Sequence, residues 1–285
     1  MGINETILSP SGRKSDLAIS SIFGKLKANI DFSFVGNEQR TIIITSSLPN
    51  EGKTTIAANT AVAMAASGKK TLLMDTDMRN PSVHLLFNYV NSRGLSDIIS
   101  QSSDWRPFII KTTVPNLYII TAGRKPVNAS KFLTSDRFQI TLEDLAKNFD
   151  YIVLDTPPVL LVPDSQIISP LVDGVILVIR SGVTTGTALK HASDTLKRAN
   201  ANIIGAVLND VKVKGGSYGY GYGYGANSKN AKRAVAHKPV KTETPAHKPN
   251  KTETPEHKPH KTETSSHKID SKAREAKPVE KKNSH

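Results

Sequence analysis

The sequence predicts an α/β fold, a doubly wound and mostly parallel sheet with helices on both faces. Three observations point there. Between residues 41 and 210, short apolar runs alternate with helix-patterned stretches, the pattern of strands covered on both sides and joined by crossover helices. The first of these runs leads straight into Gly52-Lys53-Thr54 and a helical stretch. Two later runs end on aspartate, at Asp75 and Asp155, so polar chemistry gathers at the strand ends where open parallel sheets bind ligands.

Residues 1–40 form a polar arm with one helical stripe, Ile19, Ile22, Phe23, Leu26 and Ile30, whose spacing of three and four suits a face that docks on the core or meets another subunit. Strands are predicted over residues 41–45, 71–74, 117–121, 151–154, 175–179 and 203–208. Helices are predicted over residues 54–67, 136–147, 165–171 and 185–199, with Gly68 closing the first of them. The domain proper is therefore residues 41–210.

Past residue 210 the composition changes. Residues 211–225 include Tyr218, Tyr220, Tyr222 and Tyr224, separated only by glycine. Glycine at this density opposes a helix or an interior strand, so the tyrosines should be accessible. Residues 226–285 carry a ten-residue repeat beginning at His237, His247 and His257, with proline and alternating charge but little to bury; a disordered basic tail is expected.

Composition narrows the function. The last 60 residues hold 15 Lys or Arg against 7 Asp or Glu, +8 of the formal net charge of +13. The remaining +5 makes the body only mildly basic, and no nucleic-acid partner is expected. Cysteine is absent, which excludes disulfides and thiolate metal sites. No apolar run approaches the ~18 residues of a spanning helix, so a cytoplasmic location is expected, with the membrane reached only through a partner.

Three motifs carry chemistry. Ser46-Ser47-Leu48-Pro49-Asn50-Glu51-Gly52-Lys53-Thr54-Thr55 joins a strand to a helix. Its last residues suit a phosphate-cradling loop: backbone amides of residues 50–55 around a phosphate, Lys53 on the β and γ oxygens, and the Thr54 hydroxyl on Mg²⁺. In Leu72-Leu73-Met74-Asp75-Thr76-Asp77-Met78-Arg79 two acids stand two apart past a strand, where a cation can relieve their repulsion; the alternative is a helix-cap cluster ahead of Pro81 and Ser82. Arg79 could contact phosphate or pair with Asp77. In Tyr151-Ile-Val-Leu-Asp155-Thr156-Pro157-Pro158 the acid reads as a further carboxylate beside Mg²⁺, acting through water, while Asp164 and Asp173 read as cap or turn residues. Asn209, at the end of the final strand, could read adenine or simply make a turn. Together these predict a site for ATP and Mg²⁺. Lys53 and the loop hold the phosphates, Thr54, Asp77 and Asp155 attend the metal, and Asp75 orients the incoming hydroxyl. Asp75 and Asp77 could exchange roles.

In this order and spacing the motifs, with the terminal tyrosine cluster, resemble the bacterial tyrosine kinases of capsule and exopolysaccharide synthesis clusters, over about residues 15–225. The resemblance implies a P-loop fold related to MinD-like ATPases and autophosphorylation at Tyr218, Tyr220, Tyr222 and Tyr224. It further implies control of polysaccharide chain length and export. The implied partners are a membrane adaptor that activates the kinase at the inner face of the membrane, a tyrosine phosphatase, and further copies of the chain in a homo-oligomer. A MinD-like ATPase acting in positioning, or a nucleotide-dependent scaffold, is the alternative. Those ATPases carry a lysine early in the loop, where this chain has Leu48. Two departures from the family pattern stand out. Asn50 replaces a usual glycine, and Ser21, Gly24 and Lys27 occupy the positions of the glutamate and two arginines that join subunits into a ring.

Overall fold

In a computed structural model, residues 14–34, 40–101 and 104–212 are described. The tyrosine cluster and the repeats lie outside the described residues, as does the start of the N-terminal arm.

The arm contributes α1 (Lys14–Ser33). The domain then runs β1 (Arg40–Ser46), α2 (Lys53–Ala66), β2 (Thr71–Asp75), α3 (Val83–Leu86), α4 (Leu95–Gln101), β3 (Ile110–Lys111) and β4 (Leu117–Ile120). It continues through α5 (Ala129–Leu133), α6 (Asp136–Ala146), β5 (Tyr151–Asp155), α7 (Asp164–Ile168), β6 (Gly174–Arg180), α8 (Gly186–Arg198) and β7 (Ile203–Asn209). The strands lie in the order β3-β4-β2-β5-β1-β6-β7. All pairs are parallel except β3 with β4.

Alternation along each strand divides the core between the two faces. Ile43 of β1, Leu72 and Met74 of β2, and Ile152 and Leu154 of β5 join a layer with α4, α6 and α8. Ile42 and Ile44, Leu73, and Val153 join the opposite layer with α1 and α2. Burial on both sides explains why these strands read as continuous apolar runs.

All six expected strands and the four expected helices form, with differences at their ends. The helix expected over residues 54–67 ends at Ala66 with Ser67 as its C-cap, and Gly68 follows in the left-handed region at φ 85°, donating to the Ala65 carbonyl. The helix expected over residues 165–171 breaks at Ser169 and continues as a 3₁₀ turn through Leu171, because Pro170 has no N–H for an α-helical bond. The α1 stripe also divides. Phe23 and Ile30 are buried and Leu26 packs against them, whereas Ile19 and Ile22 remain exposed. The C-terminal half of the stripe therefore docks. Lys27, the one residue of the ring motif with the family's charge, pairs with Asp31 at 2.6 Å.

Candidate active site

The site begins with the turn between β1 and α2. Asn50 has φ 61° and Gly52 φ 92°. Asparagine adopts the left-handed region more readily than most residues, so it serves where the family uses glycine. Three ties from outside and one within hold the turn. The Asn209 side chain donates to the Glu51 carbonyl at 3.0 Å, and Arg180 donates to the Asn50 carbonyl at 3.1 Å. The buried Glu51 carboxylate accepts from the Leu48 N–H at 2.9 Å and from the Thr184 hydroxyl.

Glu51 is thus a brace for the loop, and its side chain does not line the cavity that Asn50, Gly52, Lys53, Thr54 and Thr55 border. Asn209 also stands outside that lining, with its amide N–H bound to the loop. An adenine contact from Asn209 would rest on its carbonyl oxygen and its second amide N–H. Arg180 and Thr184 carry no sequence signal because the segment after β6 has no motif; only the fold brings it to the loop.

Strand register supplies the acids. Asp75 and Asp155 stand side by side where β2 and β5 end, with Ile44 of β1 next to Asp155. Thr76 fastens the two ends by donating its N–H and its hydroxyl to the Asp155 carbonyl at 2.9 and 2.7 Å. Lys53 reaches into this cluster, 3.1 Å from Asp77 and 3.7 Å from Asp155, and donates to the Thr54 hydroxyl at 3.3 Å. Burial works against its charge, but Asp155 and Asp77 outweigh burial and hold its pKa above the ordinary lysine value.

The structure separates Asp75 from Asp77. Asp77 lines the cavity. Asp75 is fully buried, accepting at one oxygen from the Ser82 and Val83 N–H groups, both at 3.0 Å, and at the other from the Asp77 N–H at 3.1 Å. The helix-cap reading is therefore realised by Asp75, at the start of α3. For Asp75 to orient a hydroxyl, the turn from Asp77 to Val83 must release it. Arg79 does not pair with Asp77. It grips Asp164 with two bonds, at 2.8 and 3.1 Å, and donates to Ser130 at 2.8 Å. Asp164, expected as a cap, is the buried anchor of that arginine. Asp173 is the turn residue expected, accepting from both the N–H and the hydroxyl of Thr41 at 2.7 Å.

The residues present fit a divalent cation. Of the three buried carboxylates, Asp77 and Asp155 pair with one lysine, and neither oxygen of Asp155 completes a hydrogen bond. Burial, and then Asp155, push Asp75 up to about 8; burial also pushes Asp155 up to about 6, against the pull of Lys53. Among the described residues, no group of three His, Cys, Asp or Glu is placed to hold an ion alone. The ion would therefore share its coordination with Thr54, water and phosphate oxygens, as Mg²⁺ commonly does.

These shifts make stability depend on pH. Both carboxyls have folded pKa values above the unfolded value near ~4, so the folded nucleotide-free chain keeps protons that the unfolded chain releases. Their contribution to stability is complete below pH ~4 and is lost as pH rises through about 6 and about 8. Urea midpoints should be lower at pH 8.5 than at pH 6.5, with the difference shrinking when ATP and Mg²⁺ are bound. His84, held low by burial, gives the opposite trend only below its ordinary value near ~6.5. A midpoint that climbs between pH 6.5 and 8.5 contradicts this picture of the cluster.

A left-handed loop opening a helix, a lysine among strand-end acids and a parallel sheet define a P-loop nucleotide-binding protein. An AAA domain model matches residues 39–204. CapB of Staphylococcus aureus is 37% identical over 206 residues, spanning 72% of this chain and 90% of CapB. The tyrosine-protein kinase YwqD of Bacillus subtilis is 35% identical, spanning 70% of this chain and 85% of YwqD. Among solved structures, the kinase domain of the Escherichia coli tyrosine kinase ETK superposes with a TM-score of 0.65 at 30% identity, over 70% of this chain and 80% of that one. The septum site-determining protein MinD from Pyrococcus horikoshii, complexed with Mg-ADP, reaches 0.51 at 25% identity, over 59% and 69%. The chain belongs to the bacterial tyrosine-protein kinases, built on the AAA domain, and its loop is a nucleotide-binding loop.

Proposed function

We propose that the chain uses ATP and Mg²⁺ to phosphorylate its own tyrosines, Tyr218, Tyr220, Tyr222 and Tyr224, and so regulates capsular or exopolysaccharide synthesis, chain length and export. The observation that carries this reading is Lys53 set among the acids Asp77 and Asp155 at the edge of the cavity bordered by the loop. Bound Mg²⁺ would neutralise charge on the β and γ phosphates. Thr54, Asp77 and Asp155 would hold it, the last two through water. The loop amides and Lys53 orient the γ-phosphate. The phenolic oxygen forms a bond to the γ-phosphorus as the bond to the β,γ-bridging oxygen breaks, and ADP leaves. The phenol proton passes to Asp75 once the turn to Val83 opens. A loose phosphoryl-transfer transition state asks little of its base, so an aspartate released from the turn suffices.

The partners are a membrane adaptor that brings the cytoplasmic chain to the inner face of the membrane, a tyrosine phosphatase, and further copies in a homo-oligomer. No helix among the described residues is long and apolar enough to cross a membrane. Each phosphate adds about −1.5 to −2, so four would nearly cancel the +8 of the last 60 residues. The test replaces all four tyrosines by phenylalanine and measures phosphotyrosine after incubation with ATP, Mg²⁺ and an adaptor fragment. Loss of nearly all signal is expected. Signal persisting on Tyr89, Tyr118 or Tyr151 overturns the acceptor assignment.

A further inference from the structure

We infer that the apolar wall of the cavity, formed by Leu86, Pro158, Leu161 and Val162, is the seat of the acceptor tyrosine ring. The inference rests on the kinase reading and names the half of the site that reading leaves unassigned. The lining of the cavity, about 300 Å³, is of two chemical kinds. Asn50, Gly52, Lys53, Thr54, Thr55 and Asp77 suit phosphate, and Leu86, Pro158, Leu161 and Val162 add apolar surface. Leu161 is 63% exposed, and Leu85 and Leu160 nearby in sequence are also open to solvent. Single exposed leucines are ordinary; Leu161 also lines a cavity that it shares with polar residues.

The occupant is identified by the chain itself. Tyr218, Tyr220, Tyr222 and Tyr224 have only glycine or serine beside them, so an enzyme that selects them has little to read except the phenol ring and the backbone. Apolar surface in the same cavity as Lys53 and Asp77 reads such a ring, burying its faces while its hydroxyl meets the polar residues. Arg79, the lining residue best suited to reading an acidic neighbour, is already committed to Asp164 and Ser130. The described chain ends at Lys212, six residues before Tyr218, a span of ~20 Å when extended.

The test uses the full chain with its four cluster tyrosines changed to serine, ATP and Mg²⁺, and a Gly-Tyr-Gly-Tyr-Gly peptide as acceptor. In that background Leu161→Asp should raise the peptide KM at least about tenfold, since a charge replaces apolar contact, while the Kd for ATP changes less than about twofold. Leu86→Ser should act in the same direction, and Leu161→Phe should keep the KM near the parent value. An unchanged peptide KM in both Leu161→Asp and Leu86→Ser overturns the inference. So does a Kd for ATP that rises in step, which would place the nucleotide base on the wall. Failure of the parent chain to phosphorylate the peptide, with phosphate released to water, overturns the kinase reading itself and the inference with it.

Discussion

Lys53→Met is expected to abolish phosphotyrosine formation, with a loss of about 10³-fold or more, because it removes the side chain that meets developing charge on the transferred phosphoryl group. The same substitution has a second consequence specific to this cluster. Lys53 lies 3.1 Å from Asp77 and 3.7 Å from Asp155 with only 12% of its side chain exposed. Breaking a buried pair of this kind costs about 3–5 kcal/mol when the remaining charge stays ionised. Asp75 and Asp155 are already raised, and without the lysine they rise further. The variant should therefore be markedly less stable than the parent at pH 8 and closer to it at pH 6, where the carboxyls take up protons. Urea unfolding at the two pH values, alongside the activity assay, separates loss of chemistry from loss of fold. Equal destabilisation at both would contradict the picture of acids held together by one cation.

Gly52→Ala is expected to weaken ATP binding by up to about 2–3 kcal/mol, or up to about 150-fold in Kd, because the free loop relaxes away from two combined costs that binding must then restore. At φ 92° an alanine pays the left-handed penalty of about 1–2 kcal/mol. Its Cβ would also stand 2.1 Å from the Asn209 side-chain nitrogen, displacing the bond that Asn209 makes to the Glu51 carbonyl, worth about 1 kcal/mol. Adding Asn209→Ala removes the clash but not the backbone strain. The double variant should then bind ATP no worse than Gly52→Ala, a non-additivity that independent sites do not show. Calorimetric titration of the three chains measures it, and wild-type affinity in Gly52→Ala would show that this turn does not hold the nucleotide.

Strands and long helices are legible in the sequence because burial on both faces leaves unbroken apolar runs, as in Ile42-Ile43-Ile44 and Val175-Ile176-Leu177. The short elements α3, α4 and α5 are not, being too brief for a helical period to show. The two-residue β3 is defined only by its antiparallel partner β4. At the site, the residues that bear charge are readable from motif and spacing. Their division of labour is not: Asp75 and Asp77 are equivalent in sequence, and only the course of the chain through Ser82 and Val83 closes one off and leaves the other on the cavity. The braces Arg180 and Thr184 lie 130 or more residues from the loop they hold, a distance no local pattern spans.

The central claim is that the γ-phosphate goes to tyrosine and not to water. A single turnover of the purified chain with γ-labelled ATP, Mg²⁺ and the adaptor fragment, followed by peptide mapping, tests it most directly. The expected result is label as phosphotyrosine in the peptide that carries Tyr218, Tyr220, Tyr222 and Tyr224, absent in Lys53→Met. Label recovered entirely as inorganic phosphate, with the chain unmodified, would contradict it and leave a MinD-like ATPase in its place.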